Sequence, residues 1–151
     1  MERKKILFLN LSQGGQAGER LVELIEQLDL SRFAPVVLAA GRGPEVDICK
    51  TLGVEIHERP LCACFVNACY QTKPSDFLLR PGVMLAVARY CGYVRKFVQE
   101  RNISAVCVHT GKTRLIGSVA TLFTGVPLVR PTQNEPAGVS FLPLDGIGSL
   151  R

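Results

Sequence analysis

Short apolar runs alternate with amphipathic stretches along most of this chain. Apolar runs lie at residues 6–9, 33–40, 103–108 and 126–129, and a further strand is predicted at residues 54–57, where apolar and polar residues alternate. A run that is apolar throughout is typical of a strand buried on both faces of a parallel sheet. Between the first two runs, Leu21, Ile25 and Leu28 recur at the spacing of one helix face. The pattern therefore predicts strands and helices in alternation.

The later part of the chain continues this alternation with longer helices. Helices are predicted over residues 82–101 and 111–124, and a shorter one before Gly53. Residues 58–81 show no clean period and are predicted to form a long loop. Alternating strands and helices give a parallel sheet with right-handed crossovers. We predict a Rossmann-like, three-layer α/β/α fold with a mostly parallel sheet of about five strands.

The size of the chain suits one domain followed by a tail. With 151 residues it has the length of an ordinary domain. Residues 1–130 carry the alternating pattern and are predicted to be the α/β domain. From Pro131 on, prolines, glycines and polar residues dominate, so residues 131–151 are predicted to form an irregular C-terminal tail.

Composition places the chain among globular proteins. Hydrophobic residues make up 47% and charged residues 21% of the sequence, which does not suit a disordered chain. No run approaches the roughly 18 apolar residues of a membrane span. The first apolar run is too short for a signal peptide. We predict a cytoplasmic location, or one at the inner face of a membrane.

The formal net charge of +5 suits a phosphorylated substrate, but the basic residues are dispersed. No basic run is interleaved with aromatic residues, so nucleic acid is not a predicted partner.

The six cysteines divide into two groups. Cys49, Cys91 and Cys107 fall on apolar stripes or strands, where cysteine behaves as a small apolar residue. The second group consists of Cys62, Cys64 and Cys69, and His57 lies just upstream of it. Four such ligands are enough for zinc, but the Cys-x-Cys spacing matches no standard zinc knuckle. The spacing favours incidental loop thiols, and no metal or other cofactor is predicted.

The sequence partly resembles two nucleotide-binding motifs but matches neither of them. Gly111, Lys112 and Thr113 look like the end of a phosphate loop, but the glycine required five residues before Gly111 is Val106. Without that glycine the backbone cannot wrap round a triphosphate.

The dinucleotide fingerprint is missing as well. The glycines at 14, 15 and 18 do not match Gly-x-Gly-x-x-Gly, and no acidic residue ends the second predicted strand. The sequence therefore argues against NAD as a cofactor.

The stretch from residue 103 to 129 places polar residues where α/β proteins bind ligands. An apolar strand ends at Val108, and His109, Thr110, Gly111 and Lys112 lead directly into a helix. Open α/β sheets bind ligands beyond the carboxyl ends of their strands, at the N-termini of the following helices.

The order of these pieces resembles a known enzyme family. Residues 108–112 are a strand end with His and a polar turn. Residues 114–120 are a helix of small and apolar residues, and residues 125–127 are a Gly-Val-Pro turn. Upstream, the first strand lies at residues 5–9 and a glycine-rich loop follows at 12–18. A helix that begins with Glu-Arg lies at residues 19–24, and a Gly-Val entry to a strand lies at 53–56. Together they resemble the N-terminal domain of a GT-B glycosyltransferase of the retaining type called family 4 or group 1.

The resemblance implies roles for two parts of the chain. In such enzymes a glycine pair after the first strand lets backbone N–H groups approach the donor diphosphate, which implies this role for Gly14 and Gly15. The family often has Glu-Arg directly after that pair, whereas residues 16–18 intervene here. A strand-end histidine faces the acceptor hydroxyl and the reacting sugar, which makes His109 the implied catalytic residue.

Three residues after that histidine are the implied contacts to substrate. Thr110, Lys112 and Arg114 stand in the turn and the first helical turn, where a phosphate or an acidic acceptor would lie. The resemblance implies a nucleotide-sugar donor and a saccharide or lipid-linked acceptor as ligands.

The resemblance also implies that something is missing. The half of a GT-B enzyme that grips the nucleotide-sugar has no counterpart in these 151 residues. We expect a C-terminal half or a partner chain to supply it, and we expect the chain alone to be inactive. The alternative is a non-catalytic α/β binding module that acts with a partner chain. An open sheet edge also favours a homodimer.

Overall fold

A computed structural model of the chain describes residues 3–11, 14–61, 81–131 and 142–143. Its strands are β1 (Lys4–Asn10), β2 (Phe33–Ala39), β3 (Glu55–Glu58), β4 (Ile103–Cys107), β5 (Leu128–Arg130) and β6 (Leu142–Pro143). Within the described ranges the helices are α1 (Gln16–Glu26), α2 (Pro44–Thr51), α3 (Pro81–Glu100) and α4 (Gly111–Thr121).

The strands form one sheet in the order β3-β2-β1-β4-β5-β6. The first five are parallel, and the two-residue β6 pairs antiparallel with β5. This arrangement confirms the predicted Rossmann-like α/β fold with a mostly parallel sheet. The division at residue 130 stays a prediction, although within the tail Leu142–Pro143 joins the sheet.

Side chains alternate between the two faces of the sheet, as they must in an extended strand. On β1, Ile6 and Phe8 pack with residues of α1 and α2, while Leu7 and Leu9 pack with residues of α3 and α4. All four are at most 3% exposed. The helices therefore cover both faces of the sheet, which is why residues 6–9 of this strand are all apolar.

The last helix ends earlier than the sequence pattern predicts. The pattern continues to residue 124, but α4 ends at Thr121, whose hydroxyl donates to the carbonyl of Gly117 at 2.8 Å. Phe123 then takes a positive φ of 63°, which a continuing helix does not allow. The amide of Thr124 returns to the carbonyl of Thr121 and closes the turn into β5.

The cysteines on apolar stripes are buried, as predicted. Burial raises the pKa of Cys49 to about 11 and that of Cys107 to about 12, and it raises the pKa of Cys91 as well. These thiols stay protonated and pack as apolar groups.

The second cysteine group lies outside the described residues. His57 is described, and its ring contacts Glu55 at 2.7 Å and lies edge-on to Phe97. In the described ranges no three potential metal ligands lie together. No helix within those ranges is long and apolar enough to cross a membrane.

Candidate functional site

The candidate site lies at the carboxyl edge of the sheet, where the turns after β1 and β4 are neighbours. The two strands pair in parallel, with Phe8 opposite Cys107. Each turn leads directly into a helix, α1 or α4. In a doubly wound sheet this is the switch point at which ligands bind. The sequence-predicted site residues lie in these two turns and in the first helical turn of α4.

The turn after β1 depends on two glycines in a backbone conformation that other residues avoid. Gly14 has a φ of 80° and Gly15 a φ of 71°. The carbonyl of Gly15 accepts from the amides of Gly18 and Glu19 and so begins α1. The glycine loop, residues 14 and 15, therefore presents backbone at a helix N-terminus, where anions bind.

A buried carboxylate from α2 holds this loop in place. Glu45 is 2% exposed, and its Oε1 accepts from the Asn10 side-chain amide at 3.0 Å and from the Gly14 backbone amide at 3.1 Å. Its Oε2 is buried without a hydrogen bond. The carboxylate lies against the Cα atoms of Gly18 and Gly43, where a Cβ would not fit. Two glycines thus make the space for this one side chain.

An open cleft of about 430 Å³ lies between α1 and α2 beside the glycine loop, and we call it the α1–α2 cleft. It is lined by Gly14, Gly15, Gly18, Glu19, Val22, Glu23, Pro44, Glu45 and Ile48. The α1 wall is acidic, so of the groups implied by the resemblance only the loop backbone offers donors to an anion here.

His109 lies on the other side of α1. It follows β4 on the same face as Cys107, and its ring lies near the backbone of Ala17 and the charge of Arg20. Both ring nitrogens are buried and neither makes a hydrogen bond of normal geometry. Burial lowers the pKa of His109, Arg20 lowers it further, and the backbone of Ala17 acts in the opposite sense. The imidazole is therefore neutral at neutral pH.

The hydroxyl of Thr110 is used to begin α4. Its Oγ1 accepts from the Thr113 amide at 3.2 Å, and the Thr110 amide donates to the Thr113 hydroxyl at 3.0 Å. Together these bonds form a capping box. Lys112 is half-buried on the first turn, and Arg114 is exposed.

The structure thus groups the predicted residues in two places. His109 and Thr110 lie in the turn after β4, and Lys112 and Arg114 follow on the first turn of α4. The glycine pair borders the α1–α2 cleft on the far side of α1, which His109 does not line. Sequence reasoning missed Glu45. The available signal was a glutamate directly after Pro44, in the first turn of a short helix, where a carboxylate is favoured but is usually exposed.

Comparison with solved structures finds similar folds in glycosyltransferases and in a UDP-N-acetylglucosamine 2-epimerase. MurG of Acinetobacter baumannii is 19% identical with a TM-score of 0.56, and the match covers 89% of this chain and 36% of MurG. A glycosyltransferase of Rickettsia africae is 14% identical with a TM-score of 0.60, covering 90% and 32%. A UDP-N-acetylglucosamine 2-epimerase is 10% identical with a TM-score of 0.58, covering 86% and 33%.

No protein-family model and no curated protein sequence matches this chain. At the identities found, the likeness to solved structures shows the fold, and the chain spans about a third of the length of these neighbours. The chain therefore shares its Rossmann-like α/β fold with part of GT-B glycosyltransferases, while membership of family 4 remains a prediction.

Proposed function

We propose that this chain is the acceptor-side half of a glycosyltransferase that moves a sugar from a nucleotide-sugar onto a saccharide or cell-envelope acceptor. Three kinds of observation support it: the order of motifs in the sequence, the fold shared with MurG and other glycosyltransferases, and the two turns at the switch point. The Anabaena protein HepE, a further structural neighbour at a TM-score of 0.53, was crystallised with UDP and glucose.

The state of His109 is the observation that carries the proposal. Its two ring nitrogens are buried and neither makes a hydrogen bond of normal geometry, and burial lowers its pKa so that the ring is neutral at neutral pH. A neutral imidazole with a free lone pair can accept a hydrogen bond from an acceptor hydroxyl and take its proton, as the new bond to the sugar forms and the bond from the sugar to the diphosphate breaks to release the nucleoside diphosphate. We assign His109 this role, with Lys112 and Arg114 beside it as contacts for a phosphate or an acidic group of the substrate.

The glycine loop has the second role in the proposal. Its positive-φ backbone at the N-terminus of α1 suits a diphosphate held by a donor-binding half on the opposite side of an active-site cleft between the two halves. That half would come from a C-terminal region or a partner chain. Alone, this chain forms only one wall of that active-site cleft and lacks the donor-binding wall, so we expect no sugar transfer.

The test compares the chain alone with the chain supplied with its donor-binding half, by fusion or on a second chain. Transfer is followed as release of UDP from UDP-glucose or UDP-N-acetylglucosamine in the presence of saccharide acceptors. We expect no turnover by the isolated chain, and transfer in the complemented enzyme that His109→Ala lowers by at least about 100-fold. His57→Ala, at the chain's other histidine, is the matched control and retains transfer.

The same preparation separates this proposal from two others. Turnover by the isolated chain, or an unchanged rate in His109→Ala, would remove the proposed role. Conversion of UDP-N-acetylglucosamine without any acceptor would point instead to the reaction that names the epimerase neighbour. Stable association with a donor half but no turnover of any nucleotide-sugar would favour a non-catalytic binding module.

A further inference from the structure

A second pocket opens at the same edge of the sheet, on the face covered by α3. It has a volume of about 330 Å³, within the range of small-molecule sites. Its wall is formed by Arg59, Pro60, Gly82, Leu85, Ala86, Arg89, Tyr90 and Tyr93. Arg59 follows β3, and its amide donates to the carbonyl of Ala39 at the end of β2. The pocket therefore lies beyond the carboxyl ends of the strands, where ligands bind.

The hydroxyl of Tyr90 is the feature that points to a ligand. Tyr90 is 6% exposed, and its hydroxyl oxygen is buried without a hydrogen-bond partner. A buried hydroxyl normally finds a partner, because leaving it unpaired costs free energy. Burial raises the pKa of Tyr90, with a further increase from Tyr93 and an opposing effect of Arg59. The hydroxyl is thus protonated at neutral pH and available as a donor.

Two guanidinium groups accompany this donor. Arg59 lies over the ring of Tyr93 at 4.7 Å from its centroid, and its charge acts on Tyr90. Arg89 is exposed on α3 one residue before Tyr90. None of the described residues that line the pocket is acidic. Guanidinium and hydroxyl donors without a carboxylate are the groups that bind an oxyanion.

We propose that this pocket, which we call the α3 pocket, binds the phosphate or carboxylate group of a small molecule. Tyr90 donates to the oxyanion, and Arg59 and Arg89 neutralise its charge. Leu85 and Ala86 supply an apolar wall for the rest of the ligand. The volume admits a single charged sugar. Assigning that sugar to the acceptor of the transferase rests on the proposed function; the binding itself does not.

Direct titration of the full chain tests the proposal. The sequence has three tyrosines and no tryptophan, and two of the tyrosines line the pocket, so tyrosine fluorescence is a suitable signal. The probes are glucose 1-phosphate, glucuronate and uncharged glucose. We expect saturable binding of at least one charged sugar and none of glucose. Saturation by glucose 1-phosphate alone assigns a phosphate, and saturation by glucuronate alone assigns a carboxylate.

Three variants show whether the pocket is responsible. Tyr90→Phe removes one oxygen atom, so it should weaken binding about tenfold without lowering the melting temperature. Arg59→Gln should weaken binding by a similar factor. Arg95→Gln removes the same charge from an exposed position of α3 outside the pocket and should leave the affinity unchanged.

Four results would overturn the proposal. They are no saturation by either charged sugar at about 10 mM, equal binding of glucose, unchanged affinity in Tyr90→Phe, and equal weakening in Arg95→Gln. A complemented enzyme that transfers no sugar while Tyr90→Phe still weakens anion binding would reject the proposed function and retain the α3 pocket.

Discussion

The turns after β1 and β4 are neighbours at one edge of the sheet, yet different interactions hold them. The glycine loop after β1 is tied to Glu45, which lies 31 residues from Gly14 in sequence. The turn after β4 is closed by Thr110 and Thr113, which are three residues apart. The turn after β1 is therefore held by a side chain from a second helix, α2, whereas the turn after β4 is held by hydrogen bonds between its own neighbouring residues.

The difference predicts how each turn responds to mutation. A capping box stabilises its helix through local hydrogen bonds. Removing it should therefore lower the free energy of unfolding by the amount typical of an N-cap substitution. A buried carboxylate that accepts from two donors is harder to replace, since its removal takes this acceptor from both of them. The glycine loop should therefore be the more sensitive of the two turns.

The largest effect is expected from Glu45→Ala. The change leaves the Asn10 side-chain amide and the Gly14 backbone amide without this acceptor and opens space beside Gly43. We expect the free energy of unfolding to fall by about 3 kcal/mol, measured by urea denaturation. Asp47→Ala is the control, because it removes the same charge from an exposed position in the same helical turn and should leave stability unchanged within error. Equal losses in both variants would contradict the role of Glu45.

Gly43→Ala tests the same contact from the other side. Gly43 has a φ of −130°, which any residue adopts, so the cost comes from overlap of the new Cβ with the Glu45 carboxylate. We expect a loss of about 2 kcal/mol in stability.

The double variant sharpens this result. In the Glu45→Ala background the carboxylate is absent, and all three atoms nearest the Gly43 Cβ position belong to Glu45. Gly43→Ala should therefore cost almost nothing there, giving strong non-additivity in a double-mutant cycle. Additive losses would show that the glycine is required for another reason.

Thr110→Ala should have a smaller effect, of about 1 kcal/mol, because it removes one capping acceptor from α4. Thr110→Ser keeps the hydroxyl and should retain most of the stability. The comparison is made by urea denaturation under the conditions used for the β1 turn. A loss as large as that of Glu45→Ala would remove the distinction between the two turns.

The smallest effect concerns the protonation of His109. Its pKa lies below the ordinary value of 6.5 in the folded chain, so the unfolded chain takes up the proton first as the pH falls. Stability should therefore decrease as the pH drops through about 6.5, and His109→Gln should reduce that decrease. Unfolding measured at about pH 7.5 and about pH 5.5 checks the difference, and parallel losses in both proteins would contradict it.

Other groups act at lower pH. Asp29 has a lowered pKa through its hydrogen bonds to Ser31, and Glu55 and Glu58 have lowered pKa values through hydrogen bonds to His57 and Arg42 respectively. Stability from these carboxylates is present above their ordinary values of 3.8 and 4.5 and is lost as the pH falls below them. The interval near pH 6.5 therefore reports chiefly on histidine.

The sequence by itself determined the fold class, because the signals for it are local. Apolar runs such as the one at β1 and the periodic spacing of Leu21 and Ile25 specify strands and helices wherever they occur. Their alternation then leaves few topologies open. The same reasoning located His109 at the end of a strand and the glycine pair in a strand-to-helix turn. The predicted end of α4 was wrong by three residues, because a local hydrogen bond to Thr121 and the positive φ of Phe123 close the turn, and apolar spacing does not encode either of them.

Tertiary structure alone decided which side chains meet. Glu45 reaches the glycine loop because α1 and α2 pack side by side, and nothing in its own segment distinguishes it from an exposed carboxylate. The same holds for Tyr90, whose unpaired hydroxyl becomes a candidate ligand contact only when Arg59 from the end of β3 lies beside α3. It also holds for His109, which α1 separates from the α1–α2 cleft. Periodicity reports the environment of one face of one element, whereas a site is made by contacts between elements distant in sequence.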